Sequence, residues 1–90
     1  MTLYYPAVVL QDEAKTIVKF LDLDQCTGQG TSLEDALEDA RYNAMTWIQT
    51  EMEEGNDLPL RTEIADLSAE EQKNAKMIAI IMPRNNGWDE

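Results

Sequence analysis

Leu33, Ala36, Leu37, Ala40, Ala44, Trp47 and Ile48 recur at spacings of three and four, drawing one apolar stripe along about four turns of helix. Three of those positions are alanine, so whatever the helix packs against must come close to its backbone. Helix is expected over residues 32–54. Ser32 with Asp35, or Thr31 with Glu34, forms a capping-box pattern at its start, and Gly55-Asn56 stops it. The opposite face carries Glu34, Asp35, Glu38 and Asp39. Ninety residues hold one modest core, so the stripe has to be covered by the remainder of a single small domain.

That remainder reads as strand. Residues 3–11, with Leu3 to Leu10 rich in aromatic and β-branched residues, lead through a polar run to a returning strand over 16–21. Pro6 offers no backbone donor, so it belongs at the strand's start or away from a ladder bond. In the returning strand Val18 and Phe20 share one face, while Ile17, Lys19 and Leu21 share the other. A third, short strand is expected over 25–28, with Gly28 and Gly30 as turn glycines before the helix. Beyond the helix, Asn56 to Leu67 is a connecting loop, and Ser68-Ala69-Glu70-Glu71 caps a helical turn over 68–75. Met77 to Met82, six apolar residues closed by Pro83, fits a buried strand over 76–82. The last seven residues are polar apart from Trp88 and are expected to fray.

The order β-β-β-α-β gives an α+β fold: a mostly antiparallel four-stranded sheet, strand order 3-2-1-4, with one long helix on one face. A right-handed helical crossover would set the last strand beside the first and parallel to it. The first and last strands are apolar on both faces, and one helix covers only one face of a sheet. Something else must cover the second face: another copy of the chain, a partner, or the connecting loop together with Trp88.

Charge and residue inventory remove most chemistry. Eighteen acidic residues against seven basic ones give a net charge of -11, which disfavours nucleic acid and suits a basic partner. There is no histidine, so neutral-pH acid–base catalysis and nitrogen ligation lose their commonest residue. A lone Cys26 forms no internal disulfide and reads as a buried structural thiol. Asp22-Leu23-Asp24 resembles the start of a calcium loop but lacks the glycine at its sixth position and the glutamate at its twelfth. No phosphate-binding loop follows Gly30. We therefore expect no catalytic site, no metal, no cofactor and no small-molecule ligand. With neither a secretory leader nor an apolar run of about 18 residues, a cytoplasmic, membrane-free protein is expected.

Three blocks together carry a family resemblance. They are Tyr5-Pro6-Ala7-Val8-Val9, then Phe20-Leu21-Asp22-Leu23-Asp24-Gln25-Cys26, then Gly30-Thr31-Ser32-Leu33-Glu34-Asp35-Ala36-Leu37 with Ala40. In that order the chain resembles the N-terminal domain of HicB antitoxins, whose patterns are Y-P-A, F-P-D-L-P-G-C and G-x-T-L-E-E-A-L. Here Leu21, Asp24 and Gln25 stand where the second pattern has its two prolines and its glycine. The resemblance implies a partial ribonuclease H-like fold and a role in a toxin–antitoxin system, neutralising a small basic HicA-like ribonuclease toxin. HicB antitoxins often continue into a C-terminal DNA-binding domain; eight residues follow Met82 here, so operator binding is not carried over. Asp22, Asp24, Glu34, Asp35, Glu38 and Asp39 are the candidate partner-binding residues, and a homo-oligomer, dimer or tetramer, is expected. Two other readings stand beside this one: a stand-alone structural or regulatory homo-oligomer without a toxin, and a carboxylate-dependent nuclease.

Overall fold

In the computed structural model, which describes residues 2–82, the alternation of the first strand decides the layers. Strand β1 (Thr2–Asp12) sends Tyr5, Ala7 and Val9 to one side and Tyr4, Val8 and Leu10 to the other. It pairs antiparallel with β2 (Lys15–Phe20), Ala7 opposite Phe20 and Val9 opposite Val18, so the two core faces coincide. Strand β3 (Thr27–Gly30) pairs antiparallel with β2. Helix α1 (Leu33–Glu53) then crosses the core face, and a 3-10 turn at Ile64–Asp66 and helix α2 (Ala69–Asn74) lead into β4 (Ala75–Ile81). The sheet order is β3-β2-β1-β4, as the strand pattern predicts.

The direction of β4 differs from the expectation. It runs antiparallel to β1, with Tyr5 opposite Ile78 and Leu3 opposite Ile80. A crossover made of α1 alone would deliver a parallel strand, but the chain spends Gly55 to Ser68 travelling back along the sheet before β4 begins. Two long-range contacts hold that return path. The Tyr5 hydroxyl donates to the Pro59 carbonyl at 2.7 Å, and Asp22 accepts from the Thr62 backbone N–H at 2.8 Å and its hydroxyl at 2.6 Å.

Gly28 and Gly30, expected in a turn, lie inside β3 on the face that meets the helix. A Cβ on Gly28 would stand 2.3 Å from the Ala40 backbone nitrogen, and one on Gly30 would stand 2.7 Å from that of Ala36. Glycine on the strand and alanine on the helix together let the two backbones approach. Ala36, Ala40, Ala44 and Ile48 are buried against Val18, Phe20, Ile78 and Ile80, with Leu23, Cys26 and Met82 completing the core.

Local signals agree with this packing. The Ser32 hydroxyl caps α1 by accepting from the Asp35 N–H at 3.2 Å. At the other end Gly55, at φ 76, closes a Schellman motif: its N–H donates to the Met52 carbonyl, and Asn56 N–H donates to that of Glu51. Pro6 sits in the middle of a central strand rather than at its start. Its carbonyl accepts from Leu21 N–H, so its missing donor faces β2 just where β2 has ended. Trp88 lies outside the described residues.

Two stability outcomes follow. Gly28→Ala should cost about 3 kcal/mol, read as a lower midpoint in urea, because helix and strand must separate to admit the methyl. Gln25, at φ 59 where the family pattern carries glycine, holds a left-handed conformation that costs an L-residue about 1–2 kcal/mol. Part of that relief is lost to the greater freedom of unfolded glycine, so Gln25→Gly should stabilise by about 0.5–1 kcal/mol in the same measurement.

Candidate protein-interaction surfaces

Helix α1 positions the acidic candidates, and the structure divides them by role. Glu34 and Asp35 occupy its first turn, where negative charge meets the positive end of the helix dipole. Asp35 accepts from the Thr31 hydroxyl at 3.3 Å. Asp39 reaches sideways to the outer edge of β3 and accepts from the Gln29 backbone N–H at 2.9 Å. Asn43, one turn on, donates to the Thr27 carbonyl at 2.8 Å, so α1 covers the edge groups of β3 with its own side chains. Glu34 and Glu38 are exposed and make no side-chain hydrogen bond among the described residues.

The other two acids lie apart. Asp24 is exposed in the turn before β3, and its carbonyl accepts from the Trp47 indole at 3.0 Å. At a rise of about 1.5 Å per residue, Trp47 stands some 20 Å along α1 from Glu34, so Asp24 marks the far end of this side of the molecule. Asp22 turns the opposite way: both of its oxygens accept from Thr62. The structure thus brings Glu34, Asp35, Glu38 and Asp39 together, places Asp24 at a distance, and engages Asp22 in tying down the connection to β4.

Tyr42 was not singled out by the sequence pattern. It follows Glu34 and Glu38 at a spacing of four, 64% exposed, and presents an aromatic ring on the acidic side. Its position outside the apolar stripe was the available signal. Beside it Gln25, Cys26, Thr27, Asn43, Thr46 and Trp47 line a shallow groove between α1 and the turn before β3.

The sheet face away from α1 has a different character. Tyr4, Leu10, Leu21, Met77 and Ile81 are exposed there by 37–71%. Fully buried Pro6 lies at its centre, and Lys19 is its one charged residue away from the hairpin end. Among the described residues these five large apolar side chains remain open to solvent.

Chemistry is sparse. Among the described residues no group of three or more Cys, Asp or Glu side chains is placed to hold a metal ion. Burial raises the Tyr5 phenol, with the Asp22 charge adding to the effect and Arg61 opposing it, which keeps the hydroxyl a neutral donor to Pro59. Burial likewise pushes the Cys26 thiol up to about 11. No described helix is long and apolar enough to cross a membrane. Native Cys26 should therefore react with a thiol reagent at pH 8 at least ~100-fold more slowly than the same thiol in urea, the difference in thiolate population alone. A native rate equal to the unfolded one would contradict the burial.

Comparison with known proteins places this geometry. The N-terminal domain of the Burkholderia pseudomallei antitoxin HicB superposes with a TM-score of 0.67 at 18% identity, covering 84% of this chain and 95% of that one. A toxin–antitoxin complex from Streptococcus pneumoniae contains a chain that superposes with a TM-score of 0.79 at 17% identity, covering 100% of this chain and 79% of that one. A chain of the HicA3 and HicB3 toxin–antitoxin complex gives 0.62 at 21% identity, with 91% and 100% covered. At these identities the superpositions establish the fold. No curated protein sequence matches. The family described as the HicB-like antitoxin of bacterial toxin–antitoxin systems matches residues 5–84, nearly the whole chain, so this protein belongs to the HicB-like antitoxin family.

Proposed function

We propose that this chain binds a small, basic, HicA-like ribonuclease toxin in the cytoplasm and holds it inactive by masking the surface that RNA would occupy, without catalysing a reaction itself. Family membership over residues 5–84 carries the reading. The geometry supports it through Glu34, Asp35, Glu38 and Asp39, four carboxylates on the first two turns of a helix whose backbone is fixed against β3. A rigid acidic face and a net charge of -11 favour encounter with a cationic surface and compete directly with phosphate for its Lys and Arg side chains. Tyr42 adds an exposed aromatic ring, a residue type that contributes disproportionately to interface energy. Asp24 extends the contact toward Trp47, and Asp22 supports it indirectly by ordering the loop behind it.

Co-expression with the product of a neighbouring small basic open reading frame tests the reading: growth should be rescued by the wild-type chain. Glu34→Lys with Glu38→Lys should slow association about tenfold at low salt and flatten its salt dependence, while Tyr42→Ala should mainly speed dissociation. Failure of any neighbouring basic protein to be neutralised would favour a stand-alone role for the fold.

A further inference from the structure

We infer that the notch where β1 outruns β4 takes an extended, acidic segment of a partner protein, which pairs with β1 as an added strand and sets its carboxylates against Lys73 and Lys76. Strand β1 continues to Asp12, but β4 begins at Ala75 opposite Val8. From Val9 onward, among the described residues, β1 has β2 on one side and no strand on the other. Alternation decides which backbone groups are left there. The Pro6 carbonyl accepts from the Leu21 N–H, so the even-numbered residues of β1 turn their backbone groups to β2 and the odd-numbered ones turn theirs to the β4 side. The Ala79 carbonyl, opposite Tyr4, agrees with that phase: it faces away from β1 and accepts from the Arg41 Nε at 3.2 Å. Gln11 therefore directs its N–H and C=O outward, and among the described residues neither has a backbone partner.

Beside this edge lies a cavity of about 550 Å³, with Val9, Leu10 and Gln11 on one side and Lys73, Ala75 and Lys76 on the other. Helix α2, which delivers the chain to β4, buries none of its residues and leaves the notch open. The unopposed residues, Val9 to Asp12, amount to about 14 Å of ladder at about 3.4 Å each, enough for a short added strand.

Charge identifies the occupant. Two of the chain's seven basic residues line this one cavity, and no acidic residue does. Glu71 folds back on Ser68 in the capping box, and Asp12 lies across the hairpin from Lys15. A positive notch repels the cationic partner proposed for the acidic helix and attracts one that carries carboxylates. The backbone edge then selects among anions, because an extended peptide presents N–H and C=O groups in the ladder spacing and a phosphate chain does not. A second copy would bring its own Lys73 and Lys76 to the same place. The opposite end of the sheet is closed to such pairing, since Asp39 and Asn43 occupy the outer groups of β3.

Calorimetric titration of the full chain with a capped peptide alternating valine and glutamate tests the inference. The peptide should bind, and its counterpart with lysine in place of glutamate should bind at least tenfold more weakly. Lys73→Glu with Lys76→Glu should weaken binding of the acidic peptide at least tenfold, with the larger loss at low salt. Gln11→Pro removes an outward N–H without touching the β1–β2 ladder, so binding should be lost while the far-UV spectrum is unchanged. Gln11→Ala keeps that donor and should bind as the wild type does. Toxin neutralisation should be unchanged in the lysine variant, which separates this inference from the toxin-masking reading. An acidic peptide that does not bind overturns the inference. So does binding that survives Gln11→Pro but is lost in Met77→Pro, because the peptide then lies on the outer edge of β4, and so does an oligonucleotide that displaces the peptide from the lysines.

Discussion

The close approach of α1 to β3 is the contact on which the rest of this fold depends. Gly28 and Gly30 have no Cβ on the face toward the helix, and Ala40 and Ala36 meet them with the smallest side chain an L-residue can offer. Neither half suffices alone. With larger residues on either element, the helix would ride higher over β2, and Val18 and Phe20 would lose part of their cover. The same proximity puts Asp39, Asn43 and Trp47 within reach of the Gln29, Thr27 and Asp24 backbones, so the outer edge of a four-residue strand is satisfied by the helix beside it. An edge closed in this way offers no template for pairing with another chain.

The other side of the sheet is organised by a longer connection. Because Gly55 to Ser68 carries the chain back across the molecule, β4 arrives antiparallel and lies on β1 with Ile78 and Ile80 turned to the helix. The order of that segment rests on few contacts: Tyr5 to Pro59, Asp22 to Thr62, and the Ser68–Glu71 capping box ahead of α2. Burial keeps the Tyr5 phenol neutral, so its bond to Pro59 persists across the physiological range.

Much of this was legible in the residues, for reasons that also mark where legibility ends. The stripe from Ala36 to Ile48, the Ser32 cap and the Gly55 stop are local signals, written within one or two turns of the structure they specify. Strand order followed from the alternation in β1 and β2 together with the apolar run of β4. The direction of β4 did not, because it is decided by bonds between residues 40 and 54 positions apart, which no periodicity records. Gly28 and Gly30 were ambiguous for a related reason: glycine permits a turn and also permits contact, and only the position of Ala40 distinguishes the two. Asp22 and Asp39 looked like surface acids because a carboxylate that accepts from a distant backbone N–H has the same sequence signature as one in water.

That last ambiguity bears on how the acidic surface can change. Asp35 and Asp39 are bound into the helix cap and the β3 edge, so replacing either one alters the fold as well as the face. Glu34, Glu38 and Tyr42 carry no such obligation among the described residues, and they lie in one row along the helix. A surface built this way separates what must stay from what can vary. Its position is fixed by the packing of Ala36 and Ala40 on glycine, while Glu34, Glu38 and Tyr42 are three side chains that the core does not use. Substitution of Glu38 or Tyr42 therefore leaves the core packing untouched, substitution of Glu34 gives up a favourable charge at the positive end of the helix, and any change that shifts the helix moves the whole surface at once.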